Sequence, residues 1–223
     1  MHFSQAPAHA AACRQMIETQ LQPRGIHDPR VLEAMATVPR HAFVADTFQR
    51  RAYDDCALPS AAGQTISQPY IVAIMSQLLQ VRGGEQVFEI GTGTGYQAAV
   101  LAYMVGERGH VYSIERLPEL SDFAAKMLRW LNISNVTLQV GDGSAGWPEA
   151  KRFDRIIITA GAPHVPEPVQ QQLADGGVLV APIGDESLQQ MVRITRHGNE
   201  LREERFLDCR FVPLVGQYGW VTT

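Results

Sequence analysis

The sequence predicts an α/β fold: a mostly parallel sheet covered by helices, with a helical segment before it and an antiparallel hairpin at its C-terminal end. Three observations predict this fold. Short apolar runs alternate with helical patterns from residue 86 onward, as in strand–helix–strand units. A glycine-rich loop at 91–95 joins the first of these runs to a helix. Two late strand patterns flank a turn signal at 197–199.

The first 81 residues are predicted to be a helical N-terminal segment. Asp28 followed by Pro29 is a helix start, and Pro39 ends the apolar pattern that follows. A stretch rich in Gly, Pro and polar residues spans 58–69. A second helix is predicted to begin near Pro69, with an apolar face formed by Ile71, Ile74, Met75, Leu78 and Leu79.

Residues 82–223 are predicted to form the α/β part. Its strand patterns are 86–90, 110–115, 136–140, 155–159 and 177–182, and the helical patterns between them are 96–105, 118–131 and 167–173. Such alternation predicts parallel strands buried on both faces. Two further strands, 189–195 and 200–207, are predicted to pair about the turn, and 210–215 is either another strand or an ordered tail.

Composition and charge exclude several classes of protein. The chain has 223 residues, 45% of them hydrophobic, so it can bury a large core. A net charge of -4 argues against a nucleic-acid partner, and the apolar run 98–105 is too short to cross a bilayer. Three scattered cysteines fit neither a disulfide framework nor a zinc site, so we expect no metal. Without a signal-peptide pattern we expect a cytoplasmic protein, and we expect a monomer.

The loop at 91–95 has the order Gly-Thr-Gly-Thr-Gly and is preceded by Glu89. Its third glycine comes one residue earlier than in the dinucleotide fingerprint Gly-x-Gly-x-x-Gly. An acid at position 89 is unfavourable beside a pyrophosphate, whereas a sulfonium cofactor that carries an amino-acid group tolerates it. The simpler alternative is a plain tight turn of an α/β protein.

Two further acids follow the next strands. Glu115 ends the second strand, 24 residues after Gly91, where a carboxylate can accept hydrogen bonds from both ribose hydroxyls. Asp142 follows the third strand and is a candidate partner of an adenine amino group. We therefore predict an S-adenosylmethionine site formed by Glu89, Gly91, Thr92, Gly93, Gly95, Tyr96, Glu115, Arg116, Gly141, Asp142 and Gly143.

Several motifs together resemble the protein-L-isoaspartate O-methyltransferases. They are Gln-Thr-Ile-Ser-Gln-Pro-Tyr at 64–70, the segment 89–99, Tyr-Ser-Ile-Glu-Arg at 112–116 and Arg-Phe-Val-Pro-Leu-Val at 210–215. Val-Pro-Arg at 38–40 also fits, and the resemblance runs from about 26 to 220. The glycine loop is common to many methyltransferases, whereas Thr-Ile-Ser-Gln-Pro placed before it is much more specific.

The resemblance implies a Rossmann-like S-adenosylmethionine-dependent methyltransferase fold that forms one compact unit. In it, 1–81 would carry the substrate-side loop and 82–223 would bind the cofactor. The implied activity is protein repair: a methyl group passes to the free α-carboxylate of L-isoaspartyl residues in damaged proteins and peptides, which leaves S-adenosyl-L-homocysteine. The ester then cyclises to a succinimide. Because a carboxylate is already ionised at neutral pH, the reaction needs alignment rather than a general base or a metal.

The resemblance also implies the residues of the substrate side. Ser67 corresponds to the family's active-site serine, whose hydroxyl can donate to one carboxylate oxygen. The alternative for Ser67 is that it only caps the helix at Pro69. The implied substrate-binding residues are Gln64, Thr65, Ile66, Leu214 and Val215, although the last two fit an ordinary edge strand equally well.

One departure from the family pattern precedes Gln64. The family usually has Pro-Ile-Gly-x-Gly-Gln-Thr, and here Ala61 stands in place of the first glycine. If that position needs a positive φ, an alanine costs about 1 kcal/mol or shifts the loop.

Other functions remain possible from the sequence. A related carboxylate O-methyltransferase acting on a modified peptide or a small metabolite could keep every motif. Methylation of a nucleic-acid amine is disfavoured, because 159–163 lacks the Asn/Asp-Pro-Pro-aromatic pattern of those enzymes. A non-catalytic binding module with the same fold, and a nicotinamide oxidoreductase, are the remaining alternatives.

Overall fold

The computed structural model describes residues 7–220. Its N-terminal part contains three α-helices and a two-stranded antiparallel ladder: α1 (Pro7–Met16), α2 (Pro29–Thr37), β1 (Leu58–Pro59), β2 (Thr65–Ile66) and α3 (Pro69–Leu78). Asp28 caps α2, because its side chain accepts a hydrogen bond from the backbone N–H of Arg30. Single turns complete this part: a π-helical turn at Ile17–Leu21 and 3-10 turns at Gln22–Arg24, Arg40–Phe43, Asp46–Arg51 and Ala61–Gly63.

The remaining elements alternate between strand and helix. In chain order they are β3 (Gln86–Ile90), α4 (Tyr96–Val105), β4 (His110–Glu115), α5 (Pro118–Trp130), β5 (Val136–Val140), β6 (Phe153–Ile158), α6 (Glu167–Gln171), β7 (Leu173–Gly184), β8 (Gln189–His197) and β9 (Glu200–Cys209). A 3-10 turn, Gly143–Ala145, follows β5.

Strands β3 to β9 form one seven-stranded sheet in the order β5-β4-β3-β6-β7-β8-β9. The pairs from β5 through β7 are parallel, and β8 pairs antiparallel with both β7 and β9. β3 lies inside the sheet, with β4 as its neighbour on one side and β6 on the other. Open α/β sheets bind ligands beside such a strand, at its carboxyl end.

Neighbouring residues of the strands pack into two different cores. Val87, Val111 and Ile157 belong to a core shared with α4 and the N-terminal helices. Phe88 and Ile156 belong to the core of the opposite face, which includes Trp147 and Val169. This alternation follows from the period-two geometry of a strand and buries the central strands on both faces, whereas the edge strands β5 and β9 are largely exposed. The division of the chain into 1–81 and 82–223 stays a prediction, and residues 1–6 and 221–223 lie outside the described part.

The predicted fold class is confirmed, with corrections to several element bounds. The strand predicted at 155–159 is Phe153–Ile158, and the strands predicted at 189–195 and 200–207 extend to His197 and Cys209. The helix predicted at 118–131 ends at Trp130. The helix predicted at 167–173 ends at Gln171, because β7 begins at Leu173, which pairs with Phe153 across an irregular register. β7 is therefore longer than the predicted 177–182. The loop at 58–69 contains the unpredicted β1–β2 ladder. Residues 210–215 form an ordered tail that contacts the sheet through a bridge between Gly161 and Pro213. No helix within residues 7–220 has the length and apolar character needed to cross a membrane.

Candidate active site

A cleft opens at the carboxyl ends of β3, β4, β5 and β6. Its walls come from seven parts of the chain: 64–67, 72–75, 90–97, 114–120, 141–143, 159–160 and 212–215. Of the residues predicted as site residues, those that line the cleft are Gln64, Thr65, Ile66, Ser67, Gly91, Thr92, Gly93, Tyr96, Glu115, Arg116, Gly141, Gly143, Leu214 and Val215. Glu89, Gly95 and Asp142 do not line it.

The glycine loop is held close to the sheet and to α5. Gly91 has φ +97°, and a side chain there would collide with the hydroxyl of Thr159, which donates to the Gly91 carbonyl oxygen at 2.6 Å. Gly95 precedes α4 with φ +88° and packs against Ala124. Above Gly93, by contrast, no described residue other than its two chain neighbours has an atom within 4 Å of the position that a Cβ would take. The middle of the loop is therefore the part that a ligand can approach.

Glu115 fixes the middle of this loop. Its Oε2 accepts a hydrogen bond from the Gly93 N–H at 2.9 Å, and its Oε1 accepts one from the Leu117 N–H at 3.0 Å. A carboxylate has about four acceptor positions, so Glu115 can still bind hydroxyls from the cleft. The charged residues in the cleft lining are Glu115 and Arg116. An acceptor-rich wall with a single cation fits S-adenosylmethionine, which brings a ribose and positive charge but no phosphate.

Glu89 lies beneath the loop rather than in the cleft. It is fully buried, and the Ser113 hydroxyl donates to its Oε2. Ser113 and Thr92 share a further hydrogen bond of 2.6 Å between their hydroxyl oxygens. Burial raises the pKa of Glu89 to about 8, the charge of Glu115 raises it further, and the Ser113 hydrogen bond opposes the shift. Glu89 therefore reaches the loop through Ser113 and Thr92, not by facing the cleft itself.

Asp142 also departs from its predicted position. Its Oδ1 accepts from the Ser144 N–H at 2.9 Å, and its Oδ2 accepts from the Gln217 N–H at 2.7 Å. The carboxylate is thus directed at the C-terminal tail, whereas the sequence predicted a contact with adenine. Its neighbours Gly141 and Gly143 supply the cleft wall instead.

Ser67 lies between β2 and α3, on the cleft wall that the loop before α3 forms. Its hydroxyl makes no hydrogen bond to any residue of the described part, and α3 is capped at Gln68 without a side-chain hydrogen bond. The alternative that Ser67 only caps this helix is therefore wrong. The Ser67 carbonyl oxygen accepts a hydrogen bond of 2.7 Å from Nη2 of Arg40. Arg40 was not predicted as a site residue, because an arginine beside a proline is normally read as exposed.

The tail completes the wall next to Ser67. The Gly161 N–H donates to the Val212 carbonyl oxygen at 2.8 Å, and the Leu214 N–H donates to the Gly161 carbonyl oxygen at 2.7 Å. Trp220 returns to the same place, because its Nε1 donates to the Gly161 carbonyl oxygen at 3.0 Å. Leu214 and Val215 are therefore held by specific backbone pairing and face the cleft.

Comparison with known proteins identifies the family. The sequence model of the family described as "Protein-L-isoaspartate(D-aspartate) O-methyltransferase (PCMT)" matches residues 11–219. The chain belongs to this family.

Individual members of the protein-L-isoaspartate O-methyltransferase family agree over nearly the whole chain. Protein-L-isoaspartate O-methyltransferase 1 of Rhodopseudomonas palustris (strain HaA2) is 50% identical over 219 residues, covering 97% of this chain and 88% of that one. The Magnetococcus marinus protein-L-isoaspartate O-methyltransferase is 52% identical over 201 residues, covering 90% and 87%.

Two solved structures show the same architecture. One, a protein-L-isoaspartate O-methyltransferase, superposes with a TM-score of 0.84 at 31% identity and covers 93% of this chain and 67% of that one. The other, from Plasmodium falciparum, was crystallised in complex with S-adenosyl-L-homocysteine; its TM-score is 0.79 at 25% identity, covering 93% and 98%. The predicted family, the S-adenosylmethionine-dependent methyltransferase fold and the cofactor are confirmed.

Ala61, which stands in place of a glycine of the protein-L-isoaspartate O-methyltransferase pattern, does not need a positive φ. Within the described part, the residues of this loop with positive φ are Ala62, at 54°, and Gly63, at 67°. Ala61 is not among them, so the missing glycine causes no backbone strain at position 61. The strained residue is Ala62, at the variable position of the pattern.

Proposed function

We propose that this cleft transfers a methyl group from S-adenosyl-L-methionine to the free α-carboxylate of L-isoaspartyl residues in damaged proteins and peptides. The observation that carries the proposal is that one cleft is lined both by Ser67, whose hydroxyl has no partner within residues 7–220, and by the loop fixed by Glu115. Membership of the protein-L-isoaspartate O-methyltransferase family supports the same reaction.

The cofactor side is formed by the glycine loop and the ends of β4 and β5. Glu115 accepts hydrogen bonds from the ribose hydroxyls while it keeps Gly93 in place. Gly91, Thr92, Tyr96, Arg116, Gly141 and Gly143 surround the rest of the cofactor. When bound, S-adenosylmethionine supplies the electrophilic methyl group on its sulfonium sulfur. Gly95 supports this side from behind, since it packs against Ala124 outside the cleft.

The substrate side is formed by the loop before α3 and by the tail. Ser67 donates its hydroxyl hydrogen to one oxygen of the isoaspartyl α-carboxylate, which leaves the other oxygen aimed at the methyl group. Gln64, Thr65 and Ile66 form the adjoining wall, and Leu214 and Val215 contact the peptide on the tail side. The α-carboxylate is ionised without help from the protein, so the residues contribute by orientation.

A methyl-transfer assay with labelled cofactor tests this function. Two peptides are compared that differ only in an isoaspartyl or a normal aspartyl linkage. We expect label to enter the isoaspartyl peptide alone. Cofactor binding without methylation of the isoaspartyl peptide would overturn the proposal. Turnover on another carboxylate would then favour a carboxylate O-methyltransferase for a modified peptide or a small metabolite, and no turnover on any carboxylate peptide would favour a non-catalytic binding module.

The enzyme acts as a cytoplasmic monomer without a nucleic-acid partner in this proposal. The net charge of -4 disfavours binding to phosphates. Light scattering after size exclusion is expected to give the mass of one chain. Cell fractionation checks the compartment.

A further inference from the structure

Arg40 is a cation enclosed in the interior. It is fully buried, and none of the ion pairs found within residues 7–220 includes it. Its Nε donates to the Ala52 carbonyl oxygen at 2.6 Å, and its Nη2 donates to the Ser67 carbonyl oxygen at 2.7 Å. Its Nη1 is buried and finds no hydrogen-bond partner among residues 7–220. Removing a guanidinium from water costs free energy, and packing alone does not offset this cost for a buried arginine that has no carboxylate partner.

The guanidinium contacts one residue of the loop before α3 and one residue of α4. On one side it contacts the backbone of Ser67. On the other, its Cζ is 4.9 Å from the centre of the Tyr96 ring. Tyr96 is the first residue of α4, directly after the glycine loop, and both Tyr96 and Ser67 line the cleft. Arg40 therefore connects the substrate-side loop with the element that begins at the cofactor loop.

The Ser67 hydroxyl has no hydrogen bond of its own to fix its direction among the described residues. Its position depends on the backbone that carries it, and Arg40 holds that backbone through the carbonyl group. A guanidinium presents its donors in fixed directions, so it can bind the carbonyls of Ala52 and Ser67 at once and in one geometry. An apolar residue of similar size would fill the space without setting the direction of either carbonyl.

We propose that Arg40 is a positioning residue for methyl transfer: through the Ser67 carbonyl and the Tyr96 ring it sets where the Ser67 hydroxyl stands relative to the bound cofactor. This inference rests on the proposed function of Ser67. Arg40 does not line the cleft, so its effect passes through Ser67 and Tyr96, which do.

A double-mutant cycle tests this role. Wild type, Arg40→Met, Ser67→Ala and the double variant are compared by kcat and KM on the isoaspartyl peptide, by calorimetry with S-adenosylhomocysteine and by thermal unfolding. We expect Arg40→Met to lower kcat by roughly 10- to 100-fold, because small misplacements of reacting groups have effects of this size. Affinity for S-adenosylhomocysteine should stay within about threefold. In the double variant, kcat should equal that of the less active single variant, because both changes remove the same effect, the positioned hydroxyl of Ser67.

Two controls separate this role from a merely structural one. Arg50→Met removes an exposed positive charge from the same part of the chain and should leave kcat unchanged. If Arg40→Met does not unfold cooperatively, Arg40→Lys replaces it in the cycle. Arg40→Lys keeps the buried charge but loses the fixed directions of the guanidinium N–H donors.

The outcomes are distinct. If wild type does not methylate the isoaspartyl peptide, the proposed function fails. If wild type is active and Ser67→Ala is as active as wild type, the assignment of Ser67 fails and the role of Arg40 fails with it. If both single variants lower kcat but their effects multiply, or if Arg40→Met lowers only the melting temperature, Arg40 is structural and the inference is overturned.

Discussion

The Glu115 carboxylate holds the backbone of Gly93, with 2.9 Å between Oε2 and the glycine nitrogen. The same side chain accepts from the Leu117 N–H, so it joins the end of β4 to the middle of the glycine loop. The space above Gly93 is open. A single acid therefore shapes the loop and borders the place that a cofactor would occupy.

Replacing Glu115 should weaken cofactor binding. Glu115→Ala removes a charged acceptor, and such hydrogen bonds contribute about 1.5–3 kcal/mol, so affinity for S-adenosylhomocysteine should fall by about tenfold to a hundredfold. Calorimetry measures the change. Glu85→Ala is the matched control, because Glu85 also accepts from backbone N–H groups, those of Arg82 and Gly83, but lies outside the cleft. Unchanged affinity in Glu115→Ala would contradict the assignment.

Removing the Ser67 hydroxyl should affect turnover and not stability. The hydroxyl has no partner in residues 7–220, so Ser67→Ala should leave the melting temperature and the affinity for S-adenosylhomocysteine nearly unchanged. If it donates to the substrate carboxylate, kcat should fall by about 10- to 100-fold, the value of one charged hydrogen bond. Ser60→Ala, in the same loop but outside the cleft, should retain full activity. A fully active Ser67→Ala would move the role to backbone groups of Ile66 and Val215.

The strained loop position gives a test of stability. Ala62 has φ 54°, and an alanine in the left-handed region costs about 1–2 kcal/mol. Glycine relieves this cost but gives more freedom to the unfolded chain, so Ala62→Gly should raise the free energy of unfolding by up to about 1 kcal/mol. Ala61→Gly should lower it by about 0.5–1 kcal/mol, because Ala61 has no such strain. Urea unfolding of the two variants should therefore give changes of opposite sign.

The buried Glu89 should make stability depend on pH. Burial raises its pKa to about 8 from 4.5. Between these values the folded chain binds a proton that the unfolded chain does not, so this contribution to stability is complete below about pH 4.5 and is lost as the pH rises through about 8. Glu89→Gln is neutral throughout, so its stability should fall less steeply over this range, by up to about 1.4 kcal/mol per pH unit. Urea unfolding of both proteins across the range measures the slopes, and equal slopes would refute the prediction.

Asp142 should stabilise the tail. Asp142→Ala leaves the N–H groups of Ser144 and Gln217 without their acceptor, and hydrogen exchange at the Gln217 amide should become faster. The free energy of unfolding should fall by about 1–3 kcal/mol. If the carboxylate instead binds adenine, as the sequence predicted, affinity for S-adenosylhomocysteine should fall while exchange at Gln217 stays slow.

The sequence predicted the first strands of the sheet well and the contacts between distant segments poorly. β3, β4, β5 and α4 have the predicted bounds, because apolar strands and helices bordered by glycine or polar residues carry their own local signal. The direction of the Asp142 side chain depends on Gln217, and no local pattern records a contact over such a separation. The burial of Arg40 likewise depends on Ala52, Ser67 and Tyr96, which only folding brings together.

The tail that pairs with Gly161 has a consequence for the order in which the enzyme becomes active during its synthesis. The glycine loop, Glu115 and Ser67 are all translated well before residues 212–215, yet the cleft lacks one wall until that segment docks. A chain still on the ribosome can thus have its sheet largely formed and have no complete site. We expect repair of other proteins to begin only after this segment has left the exit tunnel and Trp220 has formed its hydrogen bond to the Gly161 carbonyl.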